Sequence, residues 1–302
     1  MPIEIRQVVG YEDLGRWVAA REEIGPDVAT VEMTALLRAT ELEHVDLLAI
    51  EDGEPVGTAF ISGDPRSVES RMPYVEVSVP DRHRGKGVGA ALLTAVREHA
   101  RLLGHVALRC TARADRPASV AFLENHGFTV SRRTDELVLP LGADAPAAAL
   151  PEEMEMEWLG DRPELVTAMY AVASEAAAHR PDFSAGFVRT ESEWQIYELG
   201  SPHVRFDLTA LAVVDGSVRG YAIAQDVPQR DTVYHRAMAI APDWEERGLA
   251  EVLVRAQIDR AREAGVPALV ALPWDTVLEE LYSRLGYEPR TTWLELEAPL
   301  AR

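Results

Sequence analysis

Two stretches of this chain combine residue types and spacing that can do chemistry. The first is Val79-Pro80-Asp81-Arg82-His83-Arg84-Gly85-Lys86-Gly87-Val88-Gly89, with an apolar segment leading in and an Ala/Leu-rich helical pattern leading out. Glycines let several backbone N–H groups converge on one point without a Cβ in the way. The start of a helix adds unsatisfied donors and partial positive charge. Arg84 and Lys86 bring further cations, so the loop suits a pyrophosphate. A P-loop does not fit, because Lys86 is followed by Gly87 and not by Ser or Thr. A dinucleotide fold would carry its loop in the first strand–helix unit, and here several elements precede it. The second stretch is Tyr74-Val75-Glu76-Val77-Ser78-Val79, where alternation puts Tyr74, Glu76 and Ser78 on one strand face and the valines on the other. A carboxylate at Glu76 can draw a proton from a substrate through water.

The elements that position these residues occur twice. Asp52-Gly53 sits between two apolar runs, as the turn of a hairpin does, and Asp215-Gly216 repeats it. Gly216 follows Gly53 by 163 positions (216 − 53), Gly248 follows Gly87 by 161 (248 − 87), and Gly286 follows Gly127 by 159 (286 − 127). Three landmarks at nearly one offset imply tandem homologous domains. The expected boundaries are 1–141 and 153–302, joined by an Ala/Pro-rich linker at 142–152. In the first copy the pattern predicts a strand at 3–8, helices within 11–41, a hairpin of 47–50 and 56–61, and a strand at 75–79. A helix from 90 to about 104, a strand at 106–108, a helix at 118–124 and a strand at 137–139 follow. The second copy repeats the order and ends with Trp293 to Glu297. This is an α/β chain, each domain a mixed central sheet flanked by helices.

A net charge of -20 on 302 residues argues against a nucleic-acid partner. It suits a cationic substrate such as an amine, and it also serves solubility. No apolar run reaches membrane-spanning length, and the first residues lack the pattern of a signal peptide, so a cytoplasmic location is expected. The lone Cys110 rules out an internal disulfide. The eight histidines show no metal-ligand spacing, and no metal is expected.

Arg84, Gly87 and Gly89 resemble the best-known motif of the GNAT superfamily of acyl-CoA-dependent N-acyltransferases: Arg or Gln, two residues, Gly, one residue, Gly or Ala. Phe122 to Phe128 resembles that family's aromatic helix ending in Gly-Phe, and Leu281 to Tyr287 resembles it more closely. The likeness implies acetyl-CoA as co-substrate and a sheet splayed where the pantetheine arm enters; the acidic charge and the unequal tandem layout point to a small-molecule amine as acceptor. It implies a cofactor-binding set of Val77, Val79, Arg84, Gly85, Lys86, Gly87, Val88, Gly89 and Ala90. The second copy places Glu245 where the motif has Arg or Gln, so its loop is degenerate and the first domain is expected to hold the cofactor. Many members return the proton to the departing thiolate with a tyrosine, four residues before the Gly of the Gly-Phe pair. That position is Leu123 in the first copy and Tyr282 in the second. The implied catalytic pair is therefore Glu76 and Tyr282. A non-catalytic acyl-CoA-binding regulator and an enzyme acting on a protein amine are the alternatives. Two fused copies can satisfy the contact that single-domain relatives make by dimerising, so a monomer or a homodimer is expected.

Overall fold

In the computed structural model, residues 3–22, 30–40, 43–63, 72–142, 154–179, 190–227, 230–273 and 275–300 are described. Apart from Gly142, the expected linker lies outside them. The chain divides into two units, Met1–Arg133 with Trp293–Arg302, and Thr134–Thr292.

Unit 1 opens with β1 (Glu4–Gln7), α1 (Gly10–Glu22) and α2 (Val31–Thr40). The hairpin of β2 (His44–Glu51) and β3 (Glu54–Ser62) follows, then β4 (Tyr74–Ser78), α3 (Val88–Leu102), β5 (Ala107–Arg113), α4 (Pro117–Asn125) and the long β6 (Thr129–Pro140). Strands β1 to β5 lie in sequence order, all antiparallel except the β4–β5 pair. The hairpin turn has positive φ at both Asp52 and Gly53, the conformation that the Asp-Gly pair favours. Helix α3 buries Val88, Leu92, Leu93, Val96 and Ala100, a stripe at helical spacing, against the apolar face of the sheet.

Unit 2 contains β7 (Glu155–Trp158), α5 (Val166–His179), α6 (Glu191–Leu199), β8 (Ala210–Val214) and β9 (Ser217–Val227). It continues with β10 (Thr232–Ile240), α7 (Leu249–Glu263), β11 (Ala268–Ala271), α8 (Thr276–Arg284) and β12 (Glu288–Pro299). Strands β7 to β11 run in order, again with one parallel pair, β10–β11. Helix α6 begins with a full capping box, Thr190 and Glu193 each satisfying the other's backbone N–H.

The final strand of each repeat serves the other unit. Leu137–Pro140 of β6 pairs antiparallel with β11, and Leu137 joins the core around Leu269, Tyr282 and Tyr287. Trp293–Pro299 of β12 pairs antiparallel with β5, and Leu294, Leu296 and Ala298 are buried in the core of unit 1. The units drawn by packing therefore differ from the two repeats drawn by sequence.

The duplication is visible in packing at Gly57 and Gly220, which lie 163 positions apart (220 − 57). A Cβ at Gly57 would stand 2.9 Å from Val88 Cγ1, 3.0 Å from Leu92 Cδ1 and 3.2 Å from the Ser78 carbonyl. At Gly220 it would meet Leu249 at 2.9 Å and Leu253 at 3.3 Å. Each glycine lets the first turn of the following helix settle on the sheet, which fixes the loop before that helix. Gly57→Ala is expected to destabilise unit 1 by about 1–3 kcal/mol through overpacking. An unchanged urea midpoint would show that α3 can lift without cost.

Candidate functional site

The glycine-rich loop occupies the end of β4 in unit 1. A short 3-10 turn, Asp81–His83, leads into it, and α3 starts at Val88. Gly85 and Gly87 have φ of 73° and 87°, a region that side-chain-bearing residues avoid, and Gly87 caps the helix. Arg84 bends back over the strand end: its Nε donates to the Val79 carbonyl at 2.9 Å and its Nη1 meets Asp81 at 2.8 Å. Arg84, Gly85, Lys86 and Gly87 are exposed, while Val88 is buried. Phe122 of α4 lies against Gly89, where an added Cβ would be 3.3 Å from the ring.

Beside this loop the sheet opens. Strands β4 and β5 pair at one position, Tyr74 with Arg109, where the Arg109 N–H donates to the Pro73 carbonyl at 3.0 Å. Because Pro73 faces β5, alternation turns the backbone groups of Val75, Val77 and Val79 the same way. Tyr74, Glu76 and Ser78 turn theirs to β3, in register with Ser62, Phe60 and Thr58. Beyond Tyr74, strand β4 thus presents main-chain donors and acceptors to a gap that ends at the glycine loop.

The face of the sheet away from α3 carries the polar residues. Glu76 Oε1 accepts from Arg21 Nη1 at 2.6 Å and from the Ser78 hydroxyl at 2.7 Å. Arg21 comes from α1, its guanidinium 4.8 Å from the Trp17 ring centre and 5.4 Å from that of Phe60. Tyr74 reaches across the opening to the Thr111 hydroxyl at 2.8 Å. Burial pushes the Tyr74 phenol up to about 12, with the Glu76 charge adding to it. On the same face β12 brings Glu295 opposite Thr111 and Glu297 opposite Arg109, and the Arg109 guanidinium lies 3.6 Å and 3.7 Å from these carboxylates. Cys110 points into the core, and burial, with Glu295 nearby, lifts its thiol to about 12. Thiolate chemistry is not available to it there. Arg21, Trp17, Phe60 and Thr111 escape a reading of motifs, since nothing in their local sequence announces them.

Unit 2 presents the same plan with different contents. Gly248 caps α7 with a φ of 75°, but Trp244 is buried in the preceding turn with Arg247 stacked 4.5 Å over its ring. Glu245 stands at the position of Arg84, 161 residues on (245 − 84). Ala237 is the counterpart of Glu76, since Ala237 pairs with Ile223 as Glu76 pairs with Phe60. Tyr282, expected as a proton donor, belongs to this unit and is 3% exposed. Its ring packs 5.0 Å from Tyr287 and 5.4 Å from His235, and burial raises its phenol. Gln257 donates through Nε2 to the Leu208 and Ala222 carbonyls, so its Oε1 accepts from His235 Nδ1 at 2.7 Å. His235 Nε2 is then the acceptor for the Tyr287 hydroxyl at 2.6 Å. Burial lowers His235 to about 4, and the ring is a neutral structural group. The structure thus gathers Glu76 and the loop residues in unit 1 and sets Tyr282 in the interior of unit 2.

A cavity of about 410 Å³ in unit 2, lined by His203, Arg205, Asp226, Asp231 and Thr232, lies at the first residues of β10 and not at its glycine turn. Among the described residues no group of His, Cys, Asp or Glu is arranged to hold a metal, and no helix is long and apolar enough to cross a membrane.

Two copies of one plan, each with a single parallel strand pair joined through a glycine-capped helix, define a tandem α/β architecture. The model of the acetyltransferase (GNAT) family matches residues 15–128 and again 169–287, and the chain belongs to that family. The family uses acetyl-CoA, and acetyl transfer in general is the activity this membership carries. A mycothiol acetyltransferase of Nocardiopsis dassonvillei is 28% identical over 248 residues, covering 73% of this chain and 71% of the relative. One of Pseudarthrobacter chlorophenolicus is 26% identical over 306 residues, covering 91% and 87%. A tandem GNAT protein from the clavulanic acid biosynthesis pathway shares the fold with a TM-score of 0.70 at 18% identity, covering 100% of this chain and 99% of its own. A GCN5-related N-acetyltransferase from Sphaerobacter thermophilus does so at 0.64 and 20%, covering 99% and 96%.

Proposed function

We propose that the chain moves an acetyl group from acetyl-CoA, held by unit 1, to the amine of a small molecule. The observation that carries this reading is the opening between β4 and β5, which runs directly into the loop of positive-φ glycines. In this reading the main chain of Val77 and Val79 binds the pantetheine arm as an added strand. Arg84, Gly85, Lys86, Gly87, Val88, Gly89 and Ala90 surround the pyrophosphate with N–H groups and positive charge. The thioester supplies the electrophilic carbonyl, and the acceptor amine attacks it once deprotonated. Glu76 takes that proton through water, and a backbone N–H near Val79 polarises the carbonyl. For the returning proton, Leu123 offers no hydroxyl; the phenol on the Glu76 face is Tyr74, and Tyr282 is assigned to packing.

A small acceptor is supported by the name of the two mycothiol acetyltransferase relatives, and an amine cation by Glu76, Glu295 and Glu297 on one face. In unit 2 the acidic Glu245 and the buried Trp244 oppose a second pyrophosphate. Calorimetry with acetyl-CoA is expected to give one site per chain. Arg84→Ala is expected to weaken that site about tenfold, the loss of one charge-assisted contact. Two equal sites, or an unaltered affinity in the variant, would overturn the assignment. The second reading is a non-catalytic acyl-CoA-binding protein, which Leu123 favours by removing the family's usual tyrosine beside the intact loop. Absence of CoA thiol release against an amine panel, with acetyl-CoA binding retained, would select it; acetylation of peptides would point to a protein amine.

A further inference from the structure

The chain holds 30 lysines and arginines, and Lys86 is its one lysine. We propose that Lys86 is an acylation switch: an activated acetyl donor transfers its acetyl group to the ε-amine, and the resulting neutral amide weakens CoA binding at the loop. The inference rests on the reading that unit 1 holds the pyrophosphate there.

Lys86 is exposed and stands between Gly85 and Gly87, and beyond the adjacent residues no atom lies within 4 Å of where a Cβ on either glycine would be. The loop is open around it, so a donor can approach the amine. Asp81, the loop's carboxylate, is engaged by Arg84 at 2.8 Å. The Lys86 side chain forms no ion pair or hydrogen bond among the described residues. The turn itself does not require a lysine: the counterpart, 161 positions on (247 − 86), is Arg247, stacked on Trp244. A guanidinium stays protonated and resists acylation, whereas a lysine amine has a nucleophilic lone pair. One acylatable side chain therefore sits where its charge bears on the cofactor.

In the transfer, Nζ attacks the donor's carbonyl carbon and a C–N bond forms. The C–O bond of an acyl phosphate, or the C–S bond of a thioester, breaks; phosphate or thiol departs, and the amine's proton goes to solvent. The donor is a second molecule, because thioester and pyrophosphate lie at opposite ends of the pantetheine arm. Bound CoA covers the ammonium and protects it. Neutralising Lys86 removes one charge-assisted contact, so CoA affinity is expected to fall about tenfold.

The full chain is treated in parallel with acetyl phosphate and with acetyl-CoA, with and without excess CoA, then mapped by peptide mass spectrometry and titrated with CoA. Acetylation at Lys86 by at least one donor, protection by CoA, and tenfold weaker binding are the expected results. Lys86→Arg should bind CoA and gain no acetyl group at this position, and Lys86→Gln should bind as weakly as the acetylated protein. Lys86 left unmodified by both donors, or acetylated protein that binds CoA as untreated protein does, overturns the switch alone. If Arg84→Ala and Lys86→Gln both bind CoA like the parent, the loop assignment falls and the switch with it.

Discussion

Glu136→Ala is expected to cost unit 2 about 3 kcal/mol of stability, the lower end for breaking a buried ion pair. Glu136 is 6% exposed on β6. Its Oε1 accepts from Arg290 Nε at 2.8 Å and Nη2 at 2.5 Å, and Arg230 Nη1 lies 3.3 Å from both carboxylate oxygens. Alanine would leave two guanidiniums facing a void that no carboxylate fills. Each arginine is about one-third exposed, so water can partly compensate, which is why the lower end applies. Glu136→Gln keeps the shape and one acceptor oxygen and is expected to lose about 1 kcal/mol. The measurement is hydrogen exchange of β6 and β11 amides, which reports unit 2 without assuming that both units unfold together. Protection in the alanine variant equal to the parent's would mean that these contacts contribute nothing net.

This cluster also marks what the chain's order conceals. The hairpins at Asp52-Gly53 and Asp215-Gly216, the glycine loop and the helix stripe of α3 were legible because each is a local rule: positive φ, helix start, a repeat of 3–4 residues. The tandem fold followed from landmarks at one offset. Strand exchange was not legible. Alternating apolar residues mark Leu137–Leu139 and Leu294–Leu296 as strands, but both neighbours bury the same hydrophobic face, so the pattern does not say which sheet receives them. Side-chain partnerships across long separations were hidden for a similar reason. Arg21 is 55 positions from Glu76, and Glu136 is 154 from Arg290. Tyr282 illustrates the converse: its sequence position matches a family's proton donor, while its two ring neighbours and burial are facts of packing alone.

The largest expected effect on activity belongs to Glu76→Gln, about a hundredfold fall in kcat with the affinity for acetyl-CoA unchanged. General-base catalysis contributes ~10²–10⁴, and the contacts of Glu76 place it at the low end. Arg21 and Ser78 both donate to Oε1, which leaves Oε2 as the oxygen to receive the substrate proton. Glutamine is the discriminating substitution because its own Oε1 can still accept from Arg21 and Ser78, so the packing with Trp17 and Phe60 is kept while proton uptake is lost. A rate and pH profile matching the parent's would remove Glu76 from the mechanism and leave deprotonation of the amine to bulk water. A collapse in acetyl-CoA affinity would instead make Glu76 a residue that holds β4 open, since the same strand lines the gap.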